Sequence, residues 1–288
     1  MTLPRPPAAL PPGISPPAPG ISPGAAFDSP PSGRGERAAL PWREDALLGG
    51  RVRLLQPLHG YRAALDPVFL AASVAAAPGS RILEAGCGTG AALLCLARRR
   101  PDLVLTGLEI QALPAALAAW SAERLGLAAS VRVWEGDLAR PPPELRLAFD
   151  AVFTNPPYLA AGRATTAPDP QRRLAHHEAE GLPLNAWIRA CLARVRPGGH
   201  LHAIHRADRL DALLGALAGF AGDVTVFPLW PRQGQPAGRV IVRARKGARG
   251  PLRLLSGMVL HPDHASGYTP AAEAVLRHGA ALDLDPPA

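Results

Sequence analysis

From Trp42 onward, short runs of apolar residues alternate with longer stretches whose apolar positions recur at helical spacing. The short runs predict strands at 81–85, 104–109, 131–134, 150–154, 200–205, 224–229 and 239–244. The longer stretches predict helices at 91–99, 112–125, 184–195 and 207–218. Strand–helix alternation at this spacing implies right-handed crossovers. The expected fold is α/β and Rossmann-like, a mostly parallel seven-stranded sheet with helices on both faces. Pro228, Pro231 and Pro236 interrupt the stretch between the last two strands, so these should form an antiparallel hairpin at the sheet edge.

Residues 1–41 follow another pattern. They are dense in Pro, Gly and Ala, show no apolar periodicity, and cannot bury enough surface to offset the entropy of ordering them. The segment reads as a disordered tail, with a Pro-rich docking site as the alternative. It lacks the basic start and continuous apolar stretch of a signal peptide. Residues 42–288 are then one domain, long enough for a sizeable core.

Composition narrows the class. With 48% hydrophobic and 19% charged residues the chain is globular in character, and three cysteines cannot form a disulfide framework. No uncharged apolar run reaches the roughly 20 residues that span a bilayer. A secreted mini-protein and a membrane span are excluded, and a cytoplasmic monomer is expected. The net charge of +8, nearly all of it arginine, permits an acidic partner without requiring one.

The strongest local signal is Glu84-Ala85-Gly86-Cys87-Gly88-Thr89-Gly90, which follows an apolar strand and opens a helix. Gly86, Gly88 and Gly90 let the backbone turn tightly and approach a ligand beyond the strand ends. Glu109 ends the next strand, where a carboxylate can accept from a ribose diol. Asp137 ends the third, placed to accept from an adenine amino group while Leu138 packs on the ring. The loop spacing is GxGxG, not the GxGxxG of dinucleotide enzymes. Glu84, Glu109 and Asp137 at successive strand ends would repel a pyrophosphate and suit a cationic, adenosine-containing ligand. S-adenosyl-L-methionine fits that description and NAD does not.

The fourth strand runs into Asn155-Pro156-Pro157-Tyr158. Methylating a conjugated amine is difficult because its lone pair is delocalised. Acceptors aimed at both N–H bonds draw the nitrogen toward tetrahedral geometry and expose that lone pair. The Asn155 side-chain oxygen and the Pro156 carbonyl are the candidate acceptors, and Tyr158 offers a face for stacking a planar group.

With these motifs the chain resembles class I S-adenosylmethionine-dependent methyltransferases of the small-domain type, and most closely the bacterial tRNA1(Val) adenine-37 N6-methyltransferases. The resemblance covers Asp45 to about Leu282. Beyond the two motifs it rests on 45–51, on Gln56-Pro57-Leu58-His59-Gly60-Tyr61-Arg62, on Leu65-Asp66-Pro67-Val68 and on Gly267-Tyr268-Thr269-Pro270. It implies that Tyr61, Arg62 and Asp66 belong to an element closing over the cofactor, and that the Asn155–Tyr158 loop holds the target amine. Related enzymes with the same four-residue motif methylate glutamine in a release factor, and close variants methylate guanine in rRNA. A non-catalytic RNA-binding module is a further alternative, although such a module has no need of acceptors for an amine.

Seven basic residues between Arg232 and Arg253, among them Arg239, Arg243, Arg245 and Lys246, form a stretch without acids. Flanking the site, they would make a phosphate track for RNA, and no membrane partner is expected. The alternative is an edge strand guarded by charge. Arg163, Arg172 and Arg173 form a second basic group after the Asn155 loop. His200 and His202 share a strand face that His205 does not, and no cysteine lies near, so no metal is expected.

Overall fold

The computed structural model describes residues 42–58, 65–146, 148–157, 182–263 and 266–285. The proposed tail, together with Tyr61, Arg62, Tyr158, Arg163, Arg172 and Arg173, lies outside them. The described chain begins with an antiparallel hairpin of β1 (Trp42–Leu47) and β2 (Val52–Pro57). Gln56 donates to Asp45 across it at 2.9 Å, joining two of the blocks that carried the resemblance.

After α1 (Asp66–Ser73) come β3 (Arg81–Ala85), α2 (Ala91–Arg99), β4 (Val104–Glu109), α3 (Ala112–Arg124) and β5 (Val131–Glu135). Then follow β6 (Phe149–Thr154), α4 (Leu184–Arg194), β7 (Val195–Arg206), α5 (Leu210–Leu217), β8 (Ala221–Trp230) and β9 (Arg239–Lys246). The short strands β10 (Arg253–Leu254) and β11 (Met258–Val259) precede α6 (Pro270–Leu276).

Among the described residues the central sheet has nine strands, ordered β10-β8-β9-β7-β6-β3-β4-β5, with β11 also on β8. Strands β3 to β7 pair in parallel, and β9 runs antiparallel to both β7 and β8. The sheet splits the core in two. Ile82, Ala151 and Phe153 pack with α1, α2 and α6, while Leu83, Ala85 and Val152 pack with α4 and α5. This strand alternation of neighbours between faces is the period-2 pattern made physical.

All seven expected strands are present, and the helix at 91–99 has the expected bounds. The mostly parallel sheet and the antiparallel β8–β9 hairpin are as expected, and two further strands of two residues each, β10 and β11, return along the outer side of β8 to bring the described sheet to nine. Gly257 makes that return possible: its φ is +77°, and a Cβ there would collide with the Pro228 carbonyl. Two-residue strands held by such close backbone approach leave no hydrophobic pattern to read.

The strand order reverses at β3, which pairs with β4 on one side and β6 on the other. In open α/β sheets, ligands bind beyond the carboxyl ends of the strands at such a switch point.

His202 and His205 are buried in this sheet. Burial first, then the charges of His200 and Arg243, push His202 down to about 3. Burial first, then Arg209, pushes His205 down to about 4. Both imidazoles are therefore neutral in the fold while the unfolded chain takes up protons near pH 6.5. Stability should be full above about pH 6.5 and fall as pH drops toward 4. In His202→Gln the loss of melting temperature between pH 7.5 and 5 should be smaller; an unchanged loss contradicts the assignment.

Candidate functional site

Gly86, Gly88 and Gly90 have φ of +70°, +53° and +82°, a left-handed path that only glycine follows without strain. The amides of Gly86 and Cys87 donate to the Leu108 carbonyl at 2.8 and 3.0 Å, which ties the loop to the end of β4. A Cβ at Gly88 would meet nothing within 4 Å among the described residues, so toward these it offers bare backbone. At Gly86 a Cβ would lie 2.9 Å from the Trp187 ring.

The predicted acids stand at three strand ends but in different environments. Glu84 is 3% exposed and accepts from the amide of Leu93, in the first turn of α2. Its Oε2 has no hydrogen-bond partner among the described residues. Burial first, and the nearby Glu109 charge, hold its pKa well above the usual carboxylate range. Glu109 is also buried and accepts from Gly88 and Gln111 amides, each at 2.9 Å. It therefore stitches the glycine loop to the start of α3. Asp137 is half-buried, accepting from the Ala139 amide at 2.8 Å, and Leu138 is buried in the second core cluster. Gly136 donates to the Glu109 carbonyl at 2.8 Å, which holds the ends of β4 and β5 together.

The Asn155 loop leaves β6 directly beside the glycine loop, because Ala85 pairs in register with Thr154. Asn155 and Pro157 are half-buried and Pro156 is buried. Thr154 is fully buried and donates to the Ala85 carbonyl at 2.8 Å. The Trp187 indole N–H donates to Thr154 Oγ1 at 2.9 Å. Sequence reasoning did not single out Trp187 or Thr154. Nothing local marks them, since their roles arise from packing between α4 and the ends of β3 and β6.

The basic stretch is placed otherwise than expected. Arg239 pairs with Asp66 at 2.7 Å, so two residues assigned to separate tasks are partners of each other. Arg243 and Arg253 both pair with Asp285, and Arg245 pairs with Asp223. Lys246 donates to the Val195 carbonyl at 2.7 Å. Because β9 runs antiparallel to β7, Arg245 sits opposite His200 while Arg239 sits opposite Arg206. Arg243, Arg245 and Lys246 thus run away from the strand ends that carry Asn155, and a phosphate track along them beside the site is not what the fold builds. Among the described residues no group of three or more His, Cys, Asp or Glu is placed to hold a metal ion. No described helix is long and apolar enough to cross a membrane.

A family model described as "Methyltransferase domain" matches residues 82–199, from β3 into β7. The chain is 33% identical over 159 residues to the tRNA1(Val) (adenine(37)-N6)-methyltransferase of Porphyromonas gingivalis, covering 53% of this chain and 61% of that one. It is also 33% identical over 132 residues to the release factor glutamine methyltransferase of Gloeobacter violaceus, covering 43% and 44%. The chain therefore spans less than two thirds of either relative. Among solved structures it is similar to a protein of Agrobacterium tumefaciens described as a predicted O-methyltransferase. That match has a TM-score of 0.63 and 26% identity, and covers 75% of this chain and 98% of the other.

Gly86→Ala tests the packing of the loop. It forces a side chain into the left-handed region and against Trp187, and should cost about 1–3 kcal/mol in urea denaturation. Wild-type stability would contradict the contact.

Proposed function

We propose that the chain is a class I S-adenosylmethionine-dependent methyltransferase that methylates the exocyclic N6 of an adenine in tRNA, a reading its similarity to such enzymes supports. The observation that carries this reading is the pairing of Ala85 with Thr154, which sets the glycine loop and the Asn155 loop side by side at the switch point. S-adenosylmethionine, when bound, supplies a methyl group on a positively charged sulfur. The residues present suit it. The Glu109 carboxylate favours a cationic ligand, and the open side of Gly88 admits one.

In this reading Glu109 accepts from ribose hydroxyls as well as from the Gly88 and Gln111 amides. Asp137 and Leu138 receive the adenine of the cofactor. The Asn155 side-chain oxygen and the Pro156 carbonyl accept from the two N–H bonds of the target amine and expose its lone pair, while Tyr158 stacks on the base. Orientation supplies most of the acceleration, worth roughly 7–11 kcal/mol in well-aligned reactions. The proposed setting is the cytoplasm, with the chain acting as a monomer on RNA and residues 1–41 dispensable.

The release factor relative supports a second reading, methylation of a protein glutamine amide, since the same acceptors suit a planar amide. Mass spectrometry of tRNA nucleosides from a deletion strain separates the two. Loss of N6-methyladenosine from tRNA is expected; unchanged tRNA with an unmethylated release factor would overturn the RNA reading.

Two variants probe the roles within the site. Asn155→Ala should lower transfer at least 100-fold while leaving S-adenosylhomocysteine affinity within about threefold. Glu109→Ala should weaken that affinity at least tenfold in calorimetry, because it removes an acceptor and frees the Gly88 amide. Loss of affinity in the first variant, or its retention in the second, would contradict the assignments.

A further inference from the structure

We infer that Trp187 is a positioning residue that fixes the donor loop relative to the acceptor loop, an inference that rests on the methyl-transfer reading above. Trp187 lies in the first turn of α4, outside both loops, yet it touches both. Its indole N–H donates to Thr154 Oγ1, directly before Asn155. Its ring edge lies against Gly86, where a Cβ would be 2.9 and 3.0 Å from ring carbons.

The hydrogen bonds make one directed chain. A hydroxyl has a single proton, and Thr154 gives that proton to the Ala85 carbonyl, 2.8 Å away. It must therefore receive from Trp187, whose indole can only donate. The chain runs Trp187 to Thr154 to Ala85, and ends on the carbonyl immediately before Gly86. The Asn155 loop thus departs from the middle member of this chain and the glycine loop from its last. Thr154 is fully buried, so a missing partner cannot be replaced by solvent at little cost.

Packing alone does not account for the arrangement. Ile188, Cys191 and Leu192 already seal α4 onto the sheet, each nearly or fully buried. A valine at position 154 would fill the same volume with none of the polarity. The hydroxyl and the indole N–H instead set a distance and an angle between two loops whose alignment decides an in-line transfer, where a displacement of about 1 Å can cost on the order of 100-fold in rate.

The test uses the full chain and whichever acceptor the wild type labels from radiolabelled methyl donor: tRNA, rRNA or a release factor. Trp187→Phe and Thr154→Val should each lower kcat about tenfold, with S-adenosylhomocysteine affinity and acceptor KM within about threefold. The double variant should be no slower than the slower single one, because both break the same chain. Thr154→Ser keeps the hydroxyl and should restore kcat to within about twofold. In 15N-labelled protein, the Trp187 indole proton should exchange faster with solvent in Thr154→Val. Wild-type kcat in both single variants, multiplicative losses in the double variant, or a Thr154→Ser variant as slow as Thr154→Val would each overturn the inference. A wild-type chain that binds S-adenosylhomocysteine but labels no acceptor would instead remove the methyl-transfer reading, and the inference with it.

Discussion

The parallel pairing of β3 with β6 holds Ala85 opposite Thr154, and the site depends on that register. Strand side chains alternate between faces, so a slip of one residue would turn Thr154 to the other side of the sheet. Its bonds to Ala85 and Trp187 would be lost together. Phe153 would leave the apolar layer it shares with α1 and α2. The same buried residues that make the sheet cohere therefore fix where the two loops meet. Specificity of register and geometry of the site are one constraint.

The acids at the strand ends are tolerated through backbone amides. Glu84 takes an amide of α2, and Glu109 takes those of Gly88 and Gln111. Helix starts and glycine turns expose such amides in numbers, and they stabilise negative charge without a neutralising cation. Glu84 nonetheless keeps one buried oxygen without a partner among the described residues. Burying such an atom disfavours the charged carboxylate, in keeping with the raised pKa of Glu84. The arginines follow the opposite logic. Arg239, Arg243, Arg245 and Arg253 find carboxylates within the fold, and their charge goes into ion pairs that hold distant segments together.

Much of the fold was legible in the sequence because the seven longer strands of the sheet are apolar runs bounded by turn residues, and 81–85 and 104–109 were read to the residue. The glycine loop and Asn155-Pro156-Pro157 stand out in the sequence for a different reason: the chemistry proposed for them is carried by consecutive residues, which spacing alone marks. What escaped was non-local. Arg239 meets Asp66 across 173 positions, and Arg243 meets Asp285 across 42, distances over which local composition says nothing. Strands β10 and β11 are too short to show a period. Trp187 sits in an ordinary amphipathic helix, and only the packing of α4 against Gly86 and Thr154 gives it a place at the site.

The central claim is that a cofactor lies across the glycine loop, between Glu84, Glu109 and the Asn155 strand end. Hydrogen exchange of the full chain with and without S-adenosylhomocysteine addresses it most directly. The account predicts slowed exchange at the amides of 86–90 and at Gln111, with no change around Arg243 and Arg253. Protection confined to those arginines, or no saturable protection at all, would contradict it.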